Sequence, residues 1–100
     1  MSRDAARRYV VAYDVPDDRR RARIAKRLGS YGDRIQYSVF IVDVRPARLV
    51  RLRGELECLM HLDEDSVLIC EIGPVLGVER GRFEILGRSR PLTDDAAFIL

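Results

Sequence analysis

The sequence predicts an α+β fold, one antiparallel sheet with two helices on one face, and three observations predict it. Stretches with the two-residue rhythm of strands alternate with stretches of helical rhythm, in the order strand, helix, strand or strand pair, helix, strand. One hundred residues, 47% of them apolar, suffice for one core and not for two. No internal repeat and no low-complexity linker divides the chain.

Residues 8–14, RYVVAYD, alternate larger and smaller apolar side chains and end on an acid, as a buried strand does. Pro16, Asp17 and Asp18 follow as a helix entry, where a carboxylate can cap free amides and oppose the positive helix end. This first helix is expected to run to about Tyr31, with Gly32 as its stop. On a wheel of about 100 degrees per residue, Ile24, Ala25, Leu28 and Tyr31 share one face. Arg19, Arg23, Lys26 and Arg27 spread over the other sides as an exposed basic stripe. Arg21 falls inside the apolar arc, near the strand that ends in Asp14, and needs a carboxylate or phosphate partner there.

Residues 34–44, RIQYSVFIVDV, are β-prone throughout. They form one strand or a tight pair bent near Ser38; no Gly or Pro decides between the two. Pro46 opens a second helix with Leu49, Leu52, Leu56 and Leu59 at helical spacing, ending near His61. The acidic LDEDS loop leads to VLICEI, residues 67–72, expected as another buried strand. Gly73, Pro74 and Gly77 mark a loop, and FEILG at 83–87 a short final strand. The expected division is a domain over 1–87 and a tail over 88–100 that includes the apolar run Ala96 to Leu100.

This order is that of a split βαβ, the ferredoxin-like βαββαβ, here with an extra C-terminal strand. Two helices on one face leave the opposite sheet face uncovered, which predicts a homodimer packing sheet to sheet. A domain this short buries only roughly two-thirds of its unfolded surface, so a second copy relieves a shortage of burial. No apolar run approaches the roughly 18 residues of a membrane span, and the start MSRDAARR has no signal-peptide character. A soluble, cytoplasmic protein without a membrane partner is expected.

The net charge of +2 conceals an asymmetry: residues 1–53 carry 14 Arg/Lys against 6 Asp/Glu, and residues 54–100 carry 4 against 10. All but Lys26 of the cations are arginines, whose planar fork suits phosphate oxygens. A phosphate-bearing partner is the leading expectation, against a merely solvated basic surface. Arg19, Arg23 and Arg27, with Arg34 and Arg45 nearby, can contact duplex phosphates without reading bases, in a salt-sensitive way.

Asp14 is the best candidate for chemistry, an acid on a strand end where its backbone is fixed and its carboxylate can meet solvent and a metal. Magnesium takes one or two protein carboxylates and keeps several waters, so two copies of Asp14 across a dimer axis would suffice for metal-assisted phosphodiester cleavage. The plainer alternative is that Asp14 ends a strand and bonds local amides or Arg21. Asp17 and Asp18 read as helix caps. Ser38 has no supporting histidine and is no nucleophile. His61, the only histidine, is placed on a surface loop. Cys58 and Cys70 lack metal-ligand spacing and are expected as inert thiols at or near the core. No Gly-rich phosphate loop is present.

The run YVVAYDVPDDRRRARIAKRLGSYGDRIQYSVFIVDV resembles the first half of the CRISPR-associated Cas-two family: an aspartate ending the first strand, an acid- and arginine-bearing helix, then an R-(I/V)-Q-x-S-V-F segment. With SVLICEIGP at a fitting distance, the likeness extends over residues 8–75. The resemblance implies a ferredoxin-like homodimer of spacer acquisition that holds the prespacer duplex DNA and bridges dimers of the Cas-one integrase. It also implies a magnesium-dependent endonuclease acting on RNA or DNA, or a scaffold in which the acid is dispensable. Carried over by position, Asp14 is the metal aspartate and the catalytic residue, Arg21, Arg23 and Arg34 are supporting arginines, and Ser38 and Phe40 belong to the second motif. The final strand is expected to cross to the partner's sheet and the tail to dock the integrase. The alternative is a toxin-like ribonuclease of the virulence-associated protein D type.

Overall fold

A computed structural model describes residues 5–76 and 84–88. Its elements are β1 (Arg7–Asp14), α1 (Asp18–Gly29), β2 (Gly32–Gln36), β3 (Val39–Val44), α2 (Pro46–Leu59) and β4 (Ser66–Pro74). The strands form one sheet in the order β2-β3-β1-β4, with every neighbouring pair antiparallel. This is the ferredoxin-like order expected from the sequence. The stretch 34–44 is a strand pair, bent at Tyr37 and Ser38.

Asp17 caps α1, its Oδ2 accepting from the Arg20 amide at 3.0 Å, as the sequence predicts. Lys26 and Arg27 stand in the last turn, where the helix dipole favours cations. The helix ends at Gly29, earlier than Tyr31, because the Ser30 amide and hydroxyl both donate to the Arg27 carbonyl. Gly32 is therefore no helix stop. It opens β2, where a Cβ would collide with the Ile41 carbonyl of β3, so the close approach of the two strands requires a residue without a side chain. Pro46 begins α2 behind Arg45.

Tyr9, Val11 and Tyr13 of β1 and Phe40, Val42 and Val44 of β3 point to one side of the sheet, where they meet Ile24, Leu28, Leu52 and Leu56. Both helices thus cover the same face, along the stripes the wheel indicates, with Leu49 and Leu59 at the margin. The alternate residues face the other way. Across the rungs, Val10 stands with Ile41 and Cys70, Ala12 with Val39 and Leu68, and Asp14 with Ser66. At the far end Arg8 donates from Nε and Nη2 to the two Asp43 carboxylate oxygens, both at 2.8 Å.

Two expectations are corrected. VLICEI is not a buried strand: β4 is an edge strand, and Leu68 is 62% exposed because it faces the side without helices. Cys58 and Cys70 are both exposed rather than near the core. Cys58 falls off the Leu52–Leu56 stripe of α2, and Cys70 shares the helix-free face with Val10. The final strand expected at 83–87 is one that crosses to a partner's sheet; within the single chain, residues 84–88 are not in a strand. Phe83 and the tail 89–100 lie outside the described residues.

Candidate nucleic-acid and metal site

Asp14 is exposed at the last rung of the β1–β4 ladder, opposite Ser66. Strand alternation puts its carboxylate on the helix-free face, with Val10 and Ala12 behind it. Among the described residues, no ion pair or side-chain hydrogen bond engages Asp14, so neither Arg21 nor a local amide takes it up. Its electron pairs remain available to a cation or to water.

The arginines of α1 and β2 are of two kinds. Arg19 and Arg23 are exposed on α1 and make no ion pair among the described residues, and the same holds for Lys26. Arg27 belongs to the same stripe, but its Nη1 donates to Glu55 Oε1 at 2.8 Å, so much of its charge is met within the chain. Glu55 also accepts from the Tyr31 hydroxyl at 2.9 Å. Arg27 first, then Tyr31, holds the Glu55 carboxyl below its ordinary value.

Arg21 and Arg34 are half-buried. The partner that the wheel demands for Arg21 is not Asp14. Nη1 donates to the Val15 carbonyl at 2.8 Å, and Nη2 donates to Asp18. Asp18 first, with the Tyr37 hydroxyl also contributing, raises the Arg21 pKa. Arg34 does not join the exposed stripe. It lies across from Phe40 in the β2–β3 ladder, with its guanidinium carbon 5.3 Å from the Phe40 ring centre and 5.9 Å from that of Tyr37. Its Nη2 donates to the Tyr13 hydroxyl at 3.2 Å, while its buried Nε has no hydrogen-bond partner. Phe40 is a core residue and Ser38 a turn residue whose carbonyl accepts from the Tyr13 amide at 3.1 Å.

Two residues are not anticipated by the sequence. Arg20 clamps the loop after α2 to the start of α1. Its Nε and Nη2 donate to the two Asp65 carboxylate oxygens at 2.7 and 2.9 Å, and Nη2 also donates to Glu64 at 3.0 Å. Asp65 Oδ2 accepts in addition from the His61 amide at 2.8 Å. Arg20 is the leading cause of the lowered Asp65 pKa. Nothing local announces a pair so far apart in sequence; the only hint is an acidic loop beside an arginine-rich helix start. Tyr37, 63% exposed in the β2–β3 turn, is the second, and its signal is an aromatic at the bend expected near Ser38.

The donors present suit a hard cation in part. Asp14 supplies the oxygen ligand such an ion prefers. Among the described residues, however, no group of three or more His, Cys, Asp or Glu side chains is placed to hold a metal. Among the described residues, Asp14 is the one carboxylate at this strand end that no ion pair or side-chain hydrogen bond engages. No helix among the described residues is long and apolar enough to cross a membrane.

The sequence profile described as CRISPR associated protein Cas2 matches residues 7–74, a span that runs from β1 through β4. A CRISPR-associated endoribonuclease Cas2 of Thermus thermophilus is 46% identical over 65 residues, covering 65% of this chain and 69% of that protein. A CRISPR-associated endoribonuclease Cas2 of Rhodospirillum rubrum is 32% identical over 97 residues, 97% of this chain and 94% of the relative. Among solved structures, Streptococcus pyogenes Cas2 superposes with a TM-score of 0.70 at 30% identity, covering 80% of this chain and 99% of that one. A hypothetical protein of Thermus thermophilus, TT1823, does so with 0.73 at 39% identity, covering 88% and 99%. Sheet order, the acid closing β1, and matches running through every element agree: the chain belongs to the family of CRISPR associated protein Cas2.

Proposed function

We propose that this chain acts in CRISPR spacer acquisition as a homodimer that grips duplex nucleic acid, bridges dimers of the Cas-one integrase, and carries a magnesium-dependent endonuclease centre built on Asp14 from both copies. The single observation that carries this reading is the exposed, unengaged Asp14 carboxylate on the helix-free sheet face, in a chain whose relatives are named endoribonucleases and endonucleases. The same membership favours it over a toxin-like ribonuclease.

The face that needs covering and the face that carries Asp14 are one. Packing two such faces about a two-fold axis buries Val10, Ala12 and Leu68 and brings the two strand ends toward each other. Each chain then contributes one acid toward the one or two carboxylates that magnesium ordinarily takes. When bound, the ion supplies a Lewis acid for a phosphodiester oxygen and lowers the pKa of a bound water. The protein's own part is to hold the carboxylates on a rigid strand end and to meet phosphate charge with Arg19, Arg21, Arg23 and Arg34. The tail 88–100 is assigned to the integrase contact.

The test is a cleavage and binding assay on RNA and duplex DNA, with and without magnesium, comparing the parent protein, Asp14→Asn and the double variant Arg19→Gln, Arg23→Gln. Asp14→Asn should abolish magnesium-dependent cleavage while duplex binding survives. The double variant should weaken binding and flatten its salt dependence, by roughly 0.9 in the log–log slope for each phosphate that is no longer neutralised. Cleavage that persists in Asp14→Asn would remove the catalytic part of the reading.

A further inference from the structure

Tyr37 sits where the chain reverses between β2 and β3, and two bonds sew that turn to β1 immediately before Asp14. The Tyr13 amide donates to the Ser38 carbonyl at 3.1 Å, and the Tyr13 hydroxyl donates to the Tyr37 carbonyl at 3.2 Å. The turn is thus held fast although the side chain it carries is 63% exposed.

The half-buried Arg34 packs against this tyrosine, and Arg21 is held between α1 and the end of β1. The Arg34 guanidinium approaches the Tyr37 and Phe40 rings together, 5.9 and 5.3 Å from their centres. It is short of acceptors, since Nε is buried and unpaired and Nη2 donates only to the hydroxyl of Tyr13 among the described residues. Arg21 is fixed by the Val15 carbonyl and by Asp18, and the Tyr37 hydroxyl contributes to the rise of its pKa. The buried Nε is closed to an outside ligand, but a half-buried guanidinium whose one acceptor among the described residues is a neutral hydroxyl keeps most of its charge unmet and favours an anion beside it. An exposed aromatic ring next to such cations offers a π-face to a base and charge to its phosphate, the arrangement that proteins use for unpaired strands.

We infer that Tyr37 is a stacking platform for one unpaired base, with Arg34 meeting the adjoining phosphate, so that a single-stranded nucleotide is held next to Asp14. Stacking needs a splayed base and is closed to a base inside a duplex, so the platform selects single-stranded substrate at the Asp14 centre. Duplex binding falls instead to the outer face of α1. The inference rests on reading this end of the sheet as the nucleic-acid site.

The experiment uses the full chain with RNA and DNA oligonucleotides containing 2-aminopurine, each single-stranded or annealed to its complement. Affinity and quenching of the fluorescent base are read for the parent protein, Tyr37→Ala, Tyr37→Phe and Asp14→Asn, with a thermal melt of each. Tyr37→Ala should weaken single-strand binding by roughly tenfold or more and abolish quenching, with duplex affinity unchanged. Tyr37→Phe, which keeps the ring, should retain both, and the RNA and DNA arms show which sugar is preferred. Equal losses on single strand and duplex, an unchanged affinity in Tyr37→Ala, or failure of Tyr37→Phe to preserve binding would each overturn the platform. Asp14→Asn separates the two readings: persistent cleavage removes the role of Asp14 in chemistry and leaves the stacking result standing, whereas lost cleavage with no Tyr37 effect does the reverse.

Discussion

The two faces of the sheet are built from alternate residues of the same strands and end in opposite conditions. On one, Val11, Val42, Ile24, Leu28 and Leu52 are sealed completely by the two helices. On the other, Val10, Ala12, Leu68 and Cys70 have no helix over them, and charged residues stand at both ends, Arg8 with Asp43 at one and Asp14 at the other. The first face is finished by the chain itself. The second is apolar enough to be an interface and bounded enough to set its register. Asp14, on the last rung of β1, and Tyr37, in the turn between β2 and β3, lie at the same end of the sheet, where the Tyr13 amide donates to the Ser38 carbonyl.

The contrast can be broken most forcefully on the finished side. Leu52→Ala removes a fully buried side chain and should cost about 2–5 kcal/mol of unfolding free energy, measured in denaturant. A loss no larger than that of a surface substitution would mean that the helices do not seal this face. On the unfinished side, Leu68→Asp should change the chain's own stability at high dilution by only about 0.5 kcal/mol, since the residue is exposed there. The same substitution should convert the dimer to monomer in sedimentation experiments; a dimer that survives would place the interface elsewhere.

The smallest effect concerns how the end of the sheet near Asp14 is fastened. Asp65 is held below its ordinary value of 3.8, chiefly by Arg20. Its folded form thus releases the proton at a pH where the unfolded form still binds it. The resulting stabilisation is complete above the ordinary value and fades as the pH falls through the depressed one. Arg20→Gln should therefore lower the denaturation midpoint at neutral pH and do so much less in strong acid, below the depressed value. An equal loss at both would show that Arg20 acts by packing and not by charge.

Helix stripes are legible because a 3.6-residue rhythm records packing inside one chain: Ile24 and Leu28, Leu52 and Leu56 fall where the wheel puts them. The same logic misleads at VLICEI. An apolar strand announces burial without saying whether the cover comes from this chain or another, and Leu68 and Cys70 are exposed within the chain itself. Asp14 is readable because a strand end followed by a helix cap is a local pattern. The Arg20–Asp65 clamp and the placement of Arg34 beside two rings are not, because each depends on tertiary approach. The Tyr37–Ser38 bend stays open in the sequence for a simpler reason, the lack of a Gly or Pro to mark it.

The clamp at Arg20 is one of three long-range connections among the described residues, with Arg7–Glu71 and Arg27–Glu55, that each join a cation of the basic first half to an acid of the acidic second half. Folding therefore cancels much of the polarity written along the chain and spares Arg19 and Arg23, which no acid among the described residues reaches. Among the described residues, the outer side of the first helix thus keeps cations that no acid neutralises. An approaching polyanion would be turned toward that side before any contact forms.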